Sequence, residues 1–207
     1  MRVRILAFIL SFVLIGILSV ASSLSSVSST QPTSRSSPAD IMHAFLAGLD
    51  AGDRQGALDF VDAADSREVK LAETRIDMML AISKLKKAVA ARWGAVAPFD
   101  LQMTVVGENE CGSIKEQVDG DKAIVEVISS DNQQAPTSYS MIYLANGWKI
   151  SFADETEAIR NDAVFAEQMK AALHLKTVIQ DTTNAVVEGR MKSVQEVQEK
   201  ISESMTP

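Results

Sequence analysis

The sequence predicts an α+β fold in which N-terminal helices pack on a curved, cone-like antiparallel sheet of about four to five strands, followed by a helical C-terminal extension. Two hairpin turns carry this prediction, because Asp119-Gly120 and Asn146-Gly147 each lie between two strand-like stretches. A type I′ turn requires a positive φ at both central residues, and Asp-Gly and Asn-Gly pairs adopt it at low cost. Helix-like sequence lies on either side of these hairpins, so the sheet is expected between two helical parts.

The first 21 residues have the pattern of a signal peptide. Arg2 and Arg4 precede an apolar run, and Ser19-Val20-Ala21 puts small residues at positions −3 and −1 of a cleavage site. An uncleaved membrane anchor is the alternative. A helix formed by Ile5–Ala21, however, would be about 25 Å long, which is shorter than the roughly 30 Å hydrocarbon core of a bilayer. We therefore expect an exported protein, periplasmic or secreted, that touches a membrane only through residues 1–21, and only if these are retained.

A Ser-rich segment follows the apolar run. Residues 22–37 contain nine Ser among sixteen positions and have almost nothing to bury, which is typical of a flexible linker. The expected organisation is a signal peptide or membrane anchor at 1–21, the linker at 22–37, the α+β domain at 38–153 and the helical extension at 154–207. The net charge of the chain is −7, and removing Arg2 and Arg4 leaves 18 basic against 27 acidic residues. Such an acidic chain disfavours nucleic acid as a partner.

Capping residues and glycines predict three helices before the sheet. Each begins behind Ser37, Asp53 or Asp65, which are residue types that accept hydrogen bonds from the first helical amides. The predicted helices run from Pro38 to Gly52, from Asp53 to about Val61, and from Asp65 to Trp93. In the first helix Ile41, Phe45 and Leu49 recur at four-residue spacing, which predicts its buried face.

Alternation of apolar and polar residues predicts the strands. The expected strands are Leu101–Gly107, Ile114–Val118, Lys122–Ser129, Thr137–Ala145 and Trp148–Phe152. In four of these five strands every second residue is apolar, and the residues between them are mostly polar. The dry positions are Leu101, Met103, Val105, Ala123, Val125, Val127, Tyr139, Met141, Tyr143, Trp148, Ile150 and Phe152.

The C-terminal extension reads as two helices. One begins at Asp154 and continues to about Val187, and Gly189 then interrupts it. Ser193 and Glu196 have the spacing of a capping box that starts the last helix. The extension carries too many apolar residues for a free helix in water, so we expect it to cover apolar surface of the domain. A partner or homodimer interface is the alternative.

Three short segments, in this order, resemble the nuclear transport factor 2-like, or cystatin-like cone, superfamily. They are Ala47–Asp53 before the short helix, Val118–Val125 at the first hairpin, and Asn146–Ile150 at the second. The resemblance covers roughly residues 38–153 and implies helices on a cone-like sheet. Isomerases, dehydratases, epoxide hydrolases and transport adaptors share that fold, so the resemblance does not choose an activity. The long tail departs from the usual pattern of the superfamily.

The sequence offers no catalytic, cofactor-binding or metal-binding motif. His43 and His174 lie far apart on different predicted helices, and no acidic cluster completes a metal site with them. Cys111 is the single cysteine, which excludes an intramolecular disulfide, and its acidic neighbours would raise the pKa of the thiol. We therefore expect no cofactor and no metal.

Six large apolar or aromatic side chains are candidates to line a pocket: Trp93, Met103, Tyr139, Met141, Tyr143 and Trp148. They form either a plain core or a small apolar pocket with a Tyr hydroxyl as donor. The favoured function is an exported, non-catalytic binding or interaction domain for a small apolar ligand or an envelope partner. The alternative is a cofactor-free isomerase, dehydratase or hydrolase with its site inside the cone. A carboxylate or His facing the cone with a strongly shifted pKa would favour the enzyme.

Overall fold

The computed structural model describes residues 36–94, 107–130 and 135–205. Within these ranges the chain is α+β, with helices before and after an open, five-stranded mixed sheet. The helices are α1 Pro38–Ala51, α2 Arg54–Asp59, α3 Ser66–Trp93, α4 Ala153–Ala158, α5 Asp162–Val187 and α6 Val194–Met205, with a 3₁₀ turn at Glu108–Glu110. The strands are β1 Val61–Asp62, β2 Cys111–Asp119, β3 Lys122–Ser129, β4 Thr137–Leu144 and β5 Gly147–Ser151.

The sheet has the order β1-β5-β4-β3-β2, and it is antiparallel except for the parallel pair of β1 and β5. The prediction that the second helix reaches Val61 was wrong. The helix ends at Asp59, the amide of Ile150 donates to the carbonyl of Phe60 at 2.9 Å, and Val61 pairs with Ile150. A β-branched residue beside an open sheet edge gains more from this pairing than from one more helical turn. Most of the predicted strand at 101–107 lies outside the described residues.

Both predicted hairpins are present, but each turn lies one residue away from its predicted position. Asp119 pairs with Lys122, so the central residues of the first turn are 120 and 121, and Gly120 has a φ of 63°. Leu144 pairs with Gly147, so the second turn is centred on 145 and 146. Register is fixed by the buried face, since a slip of one residue would turn every apolar side chain towards water.

The predicted dry face of the sheet is confirmed where the structure describes it, except that Tyr143 is only half-buried. The ends of α1 and α3 also match the sequence. Ser37 and Asp40 form a capping box, Gly52 ends α1 with a φ of 75°, and Asp65 accepts hydrogen bonds from the first amides of α3. The buried face of α1 is displaced from the predicted one, because Ile41 is only half-buried. The buried apolar residues of α1 are Pro38, Met42, Phe45, Leu46 and Leu49.

The apolar core has two halves that share α3. The first half joins α1, the inner face of the sheet, the N-terminal part of α3, and Phe165 and Met169 from the start of α5. The second half lies between the C-terminal part of α3, the rest of α5, and α6. The two ends of α3, a helix of 28 residues, therefore pack against different neighbours.

The C-terminal extension packs on the domain, as expected, and the surface it covers is chiefly the far half of α3. It contains three helices and not two, because the predicted long helix is interrupted before Asp162. The Asn161 side chain accepts hydrogen bonds from the amides of Ala163 and Val164, which starts a new helix there. The break at Gly189 is confirmed, with a φ of 78°.

The capping box predicted at the start of α6 is present in altered form. The amide of Glu196 donates to Ser193 Oγ at 3.2 Å, as expected. The Glu196 carboxylate, however, accepts from the amide of Lys192 at 2.7 Å and not from that of Ser193. None of the helices within the described ranges combines the length and apolar character needed to cross a bilayer.

Candidate functional site

Tyr143 and Trp148 are brought together at one end of the sheet. They are cross-strand partners on β4 and β5, and their ring centroids lie 5.2 Å apart with the planes at 71°. This edge-to-face arrangement is favourable for two aromatic rings. Trp148 is buried, whereas Tyr143 is half-buried at the margin of the sheet.

A groove of about 280 Å³ opens beside this aromatic pair, between the start of α1 and the β4–β5 hairpin. Among the described residues, those that line it are Ser36, Ile41, Tyr143, Ala145, Asn146, Gly147 and Trp148. None of these is an acidic or basic residue. Two of the six residues predicted to line a pocket are among them, and sequence reasoning missed the others. The four-residue spacing of Ile41, Phe45 and Leu49 predicts that Ile41 belongs to the buried face of α1. It lies at the edge of that face, and this position could have indicated that Ile41 lines a groove.

The other predicted pocket residues do not join this groove. Tyr139 and Met141 are buried within the core, and Tyr139 packs edge-on against Phe45 with ring centroids 6.3 Å apart. Trp93, the last residue of α3, packs against the second half of the core, with the Arg92 guanidinium 5.3 Å from its ring centroid. Tyr139 and Met141 therefore match the alternative of a plain core, and Trp93 lies in the other half of the core from them. Met103 lies outside the described residues.

A charged pair that joins α3 to α4 influences the pKa of the buried Tyr139. Arg75 of α3 forms an ion pair with Glu155 of α4, and the Arg75 guanidinium lies 5.0 Å from the centroid of the Phe152 ring. Burial raises the pKa of Tyr139 to about 12, with Arg75 acting to lower it and Glu155 to raise it further. Burial also raises the pKa of Glu155, against the opposing effect of Arg75. Sequence reasoning missed Glu155 because it follows the last strand and does not lie on the dry face of the sheet.

A second groove, of about 250 Å³, lies between α2, β1 and the start of α3. It is lined by Arg54, Gln55, Leu58, Val61, Ala63, Val69, Ala72 and Glu73. The Arg54 side chain at its rim already has partners, because its Nε donates to Asp77 Oδ1 at 2.5 Å and its Nη2 lies 3.5 Å from Glu73 Oε1. The described residues of this groove therefore offer apolar surface to a ligand, and the one basic residue among them, Arg54, is already paired with carboxylates.

The remaining candidates lie apart from both grooves. His43 is exposed on α1, where its Nδ1 lies 3.0 Å from Glu108 Oε1, and His174 is exposed on α5. Cys111 is half-buried at the start of β2, and burial together with Glu108 raises the pKa of its thiol, the direction predicted from its acidic neighbours. In the part of the chain that the structure describes, no group of three or more His, Cys, Asp or Glu side chains is arranged to hold a metal ion.

Comparison with protein-family models, with curated proteins and with solved structures gives no match to this chain.

Proposed function

We propose that the protein is an exported, non-catalytic binding domain that takes a small, uncharged, largely apolar ligand in the groove beside Tyr143 and Trp148. The observation that carries this proposal is the aromatic pair itself. Its two rings meet edge to face at 5.2 Å where the core reaches the wall of an open groove, with Trp148 buried and Tyr143 half-buried. Aromatic side chains at an open concave surface are typical of ligand sites.

The size and charge of the groove support the ligand class. Its volume of about 280 Å³ is close to the lower end of the range for small-molecule sites. A charged ligand would lose its hydration without gaining a counter-charge from the described lining residues, because none of them is an acidic or basic residue. The Asn146 amide and the Ser36 hydroxyl supply hydrogen bonds, so a neutral ligand with one polar group and one ring or branched alkyl group fits best.

The walls of the groove are held in place by backbone hydrogen bonds. The amide of Tyr143 donates to the carbonyl of Asp121 at 2.7 Å, and the amide of Ile41 donates to the carbonyl of Ser37 at 3.2 Å. A site formed before the ligand arrives loses less conformational entropy on binding. This favours recognition of a ligand by a groove of modest size.

The proposal includes export and membership of the nuclear transport factor 2-like superfamily. Export is supported by Arg2, Arg4 and the apolar run behind them. Membership is supported by the order of three N-terminal helices followed by a sheet built from two hairpins. The C-terminal helices are an addition to that plan, and they supply a large share of the second half of the core.

One observation supports the enzyme alternative, a cofactor-free isomerase, dehydratase or hydrolase. Glu155 has a raised pKa, and its charge acts to raise the pKa of Tyr139, so a carboxyl group and a potential hydrogen-bond donor influence each other. Arg75, however, already binds the Glu155 carboxylate, and neither groove includes these two residues. A proton acceptor tied to a guanidinium is a weak base, so the binding function is better supported.

The proposal can be tested by following the indole N–H signals of the two Trp residues by NMR during titration with benzyl alcohol and cyclohexanol. We expect the Trp148 signal to shift saturably while the Trp93 signal, far from the groove, stays in place. Tyr143→Ala should weaken binding about tenfold, and Ile124→Ala, which removes an exposed apolar side chain from the outer face of the sheet, should leave it unchanged. Equal shifts of both Trp signals, or equal binding by Tyr143→Ala, would contradict the proposal.

A further inference from the structure

Strand β1 forms one edge of the sheet and turns backbone hydrogen-bonding groups away from its neighbour. The amide of Ile150 donates to the carbonyl of Phe60 at 2.9 Å, and Val61 pairs in parallel with Ile150. In a parallel ladder alternate residues of a strand bond to the same neighbour, so Phe60 and Asp62 face β5. The amide and the carbonyl of Val61 therefore point to the opposite side, where no other described strand pairs with β1.

The groove of about 250 Å³ lies beside this edge. Val61 and Ala63 line it, together with Leu58 of α2 and with Val69 and Ala72 of α3. Its apolar lining therefore continues from the strand to two helices. The Val69 side chain is 43% exposed, so much of it is in contact with water. An extended chain laid along β1 can bond to the backbone of Val61 while every second side chain enters the groove.

The charges around the edge favour a basic partner. Asp59 ends α2 and Asp62 ends β1, and within the described residues neither carboxylate belongs to an ion pair. Nearby cations are engaged, because Arg54 binds two carboxylates and Lys149 Nζ donates to the carbonyl of Asp59. The chain also carries a net charge of −7, which attracts a basic segment over a longer range.

We propose that the edge of β1 and the groove beside it bind an extended, basic segment of a partner protein as an added strand. The backbone of this segment exchanges hydrogen bonds with the amide and the carbonyl of Val61. Its apolar side chains enter the groove against Val69, and the Lys or Arg side chains between them lie on the side of Asp62. The proposal does not depend on the groove beside Trp148, because the two grooves share no lining residue.

The probe is a five-residue peptide with blocked ends, Lys-Val-Lys-Val-Lys, which alternates basic and apolar side chains. In a protein that contains isotope-labelled valine, we expect this peptide to shift the amide NMR signal of Val61 saturably, and Val61→Ile identifies that signal. The signal of Val187, at the end of α5 that meets the last turn of α3, should stay in place.

Two altered peptides separate strand addition from simple charge attraction. The same peptide methylated at every backbone nitrogen keeps its charges but cannot donate to Val61, and it should bind about tenfold more weakly. Glu-Val-Glu-Val-Glu keeps the backbone donors but reverses the charge, and it should also bind about tenfold more weakly. Equal binding of the methylated and unmethylated peptides would overturn the proposal.

Val69→Lys places a cation in the groove and should weaken binding of the basic peptide about tenfold. Val164→Lys is the matched control, because Val164 is a helical valine of similar exposure, 44%, that does not line the groove. Equal affinity in these two variants, or a Val61 signal that does not respond to the peptide, would overturn the proposal. A Val61 signal that shifts with protein concentration alone would also overturn it, because the edge would then pair with a second copy of the chain. The readout at Val61 makes each result independent of any result at Trp148.

Discussion

Lys176 Nζ lies 3.0 Å from Asp77 Oδ2, and this contact joins the tail helix α5 to the middle of α3. The other oxygen of the same carboxylate accepts from Arg54 Nε at 2.5 Å, so Asp77 also ties α2 to α3. One carboxylate therefore connects the consecutive helices α2 and α3 with the tail helix α5. Partial burial acts to raise the pKa of Asp77, but the hydrogen bonds from Arg54 and Lys176 outweigh it and hold the pKa below its ordinary value.

Asp77→Asn should destabilise the protein at neutral pH by about 1–2 kcal/mol, because two cations lose their shared counter-charge. A carboxyl group with a lowered pKa in the folded state stabilises the fold above its unfolded pKa, and that stability is lost as the pH falls through the folded value. The difference between wild type and variant should therefore shrink below about pH 4. Urea unfolding at a series of pH values measures it.

Glu73→Gln is the control for this change, since Glu73 contacts the same Arg54 from a more exposed position at 3.5 Å. Its loss should cost less than about 0.5 kcal/mol. A difference between Asp77→Asn and wild type that stays constant down to pH 2 would show that the effect comes from packing and not from ionisation.

Trp148→Ala should cost about 3–5 kcal/mol of unfolding free energy, because Trp148 is only 8% exposed and anchors β5 beneath the helices. Denaturant unfolding checks this value. Ile124→Ala serves as the matched control, because Ile124 is 51% exposed on the opposite face of the sheet and its loss should cost well under 1 kcal/mol. A cost below about 1 kcal/mol for Trp148→Ala would mean that the ring faces solvent in solution.

The exported form should begin near Ser22. The small residues Ser19 and Ala21 fit positions −3 and −1 of a signal-peptidase site behind a basic start and an apolar run. Intact-mass measurement of the protein recovered outside the cytoplasm gives the start directly. Ala21→Leu, which places a bulky residue at −1, should block cleavage and leave the longer form. A protein that starts at Met1 and stays in the cytoplasm would contradict export.

Local chemistry explains which parts of the fold the sequence predicts well. Ser37, Asp65 and Gly52 act on the amides and carbonyls next to them, so the helix ends they set are readable from a few residues. The hairpins can likewise be predicted from a few residues, but the central residues of each turn cannot. The pairing of Asp119 with Lys122 depends on which side chains the whole sheet buries.

The parts that the sequence does not predict depend on contacts between distant segments. The sequence near Glu155 does not indicate that Arg75 is its ion-pair partner. Trp93 packs in the second half of the core, whereas Tyr139, Tyr143 and Trp148 belong to the first half. The helical period of α3 predicts a buried face without revealing that the two ends of the helix meet different neighbours. The far wall of the groove beside Tyr143 comes from α1, which the pattern of the strands does not indicate.

The C-terminal helices should be essential to the stability of the domain. Ile179 of α5 is fully buried in the second half of the core, and Ile179→Ala should cost about 2–5 kcal/mol. Leu173 lies on the same helix but is 43% exposed, so Leu173→Ala should cost less than about 1 kcal/mol.

Deleting residues 154–207 tests the larger role of the same helices. The deletion removes the cover from Leu85 and Val89 of α3, so we expect the shortened chain to bind a hydrophobic dye or to aggregate. Size-exclusion chromatography with dye fluorescence measures both outcomes. A shortened chain that stays monomeric, binds no dye and unfolds at the same denaturant concentration as the full chain would show that the tail is an independent arm. Equal costs for Ile179→Ala and Leu173→Ala would support that reading, because a free helix buries neither side chain.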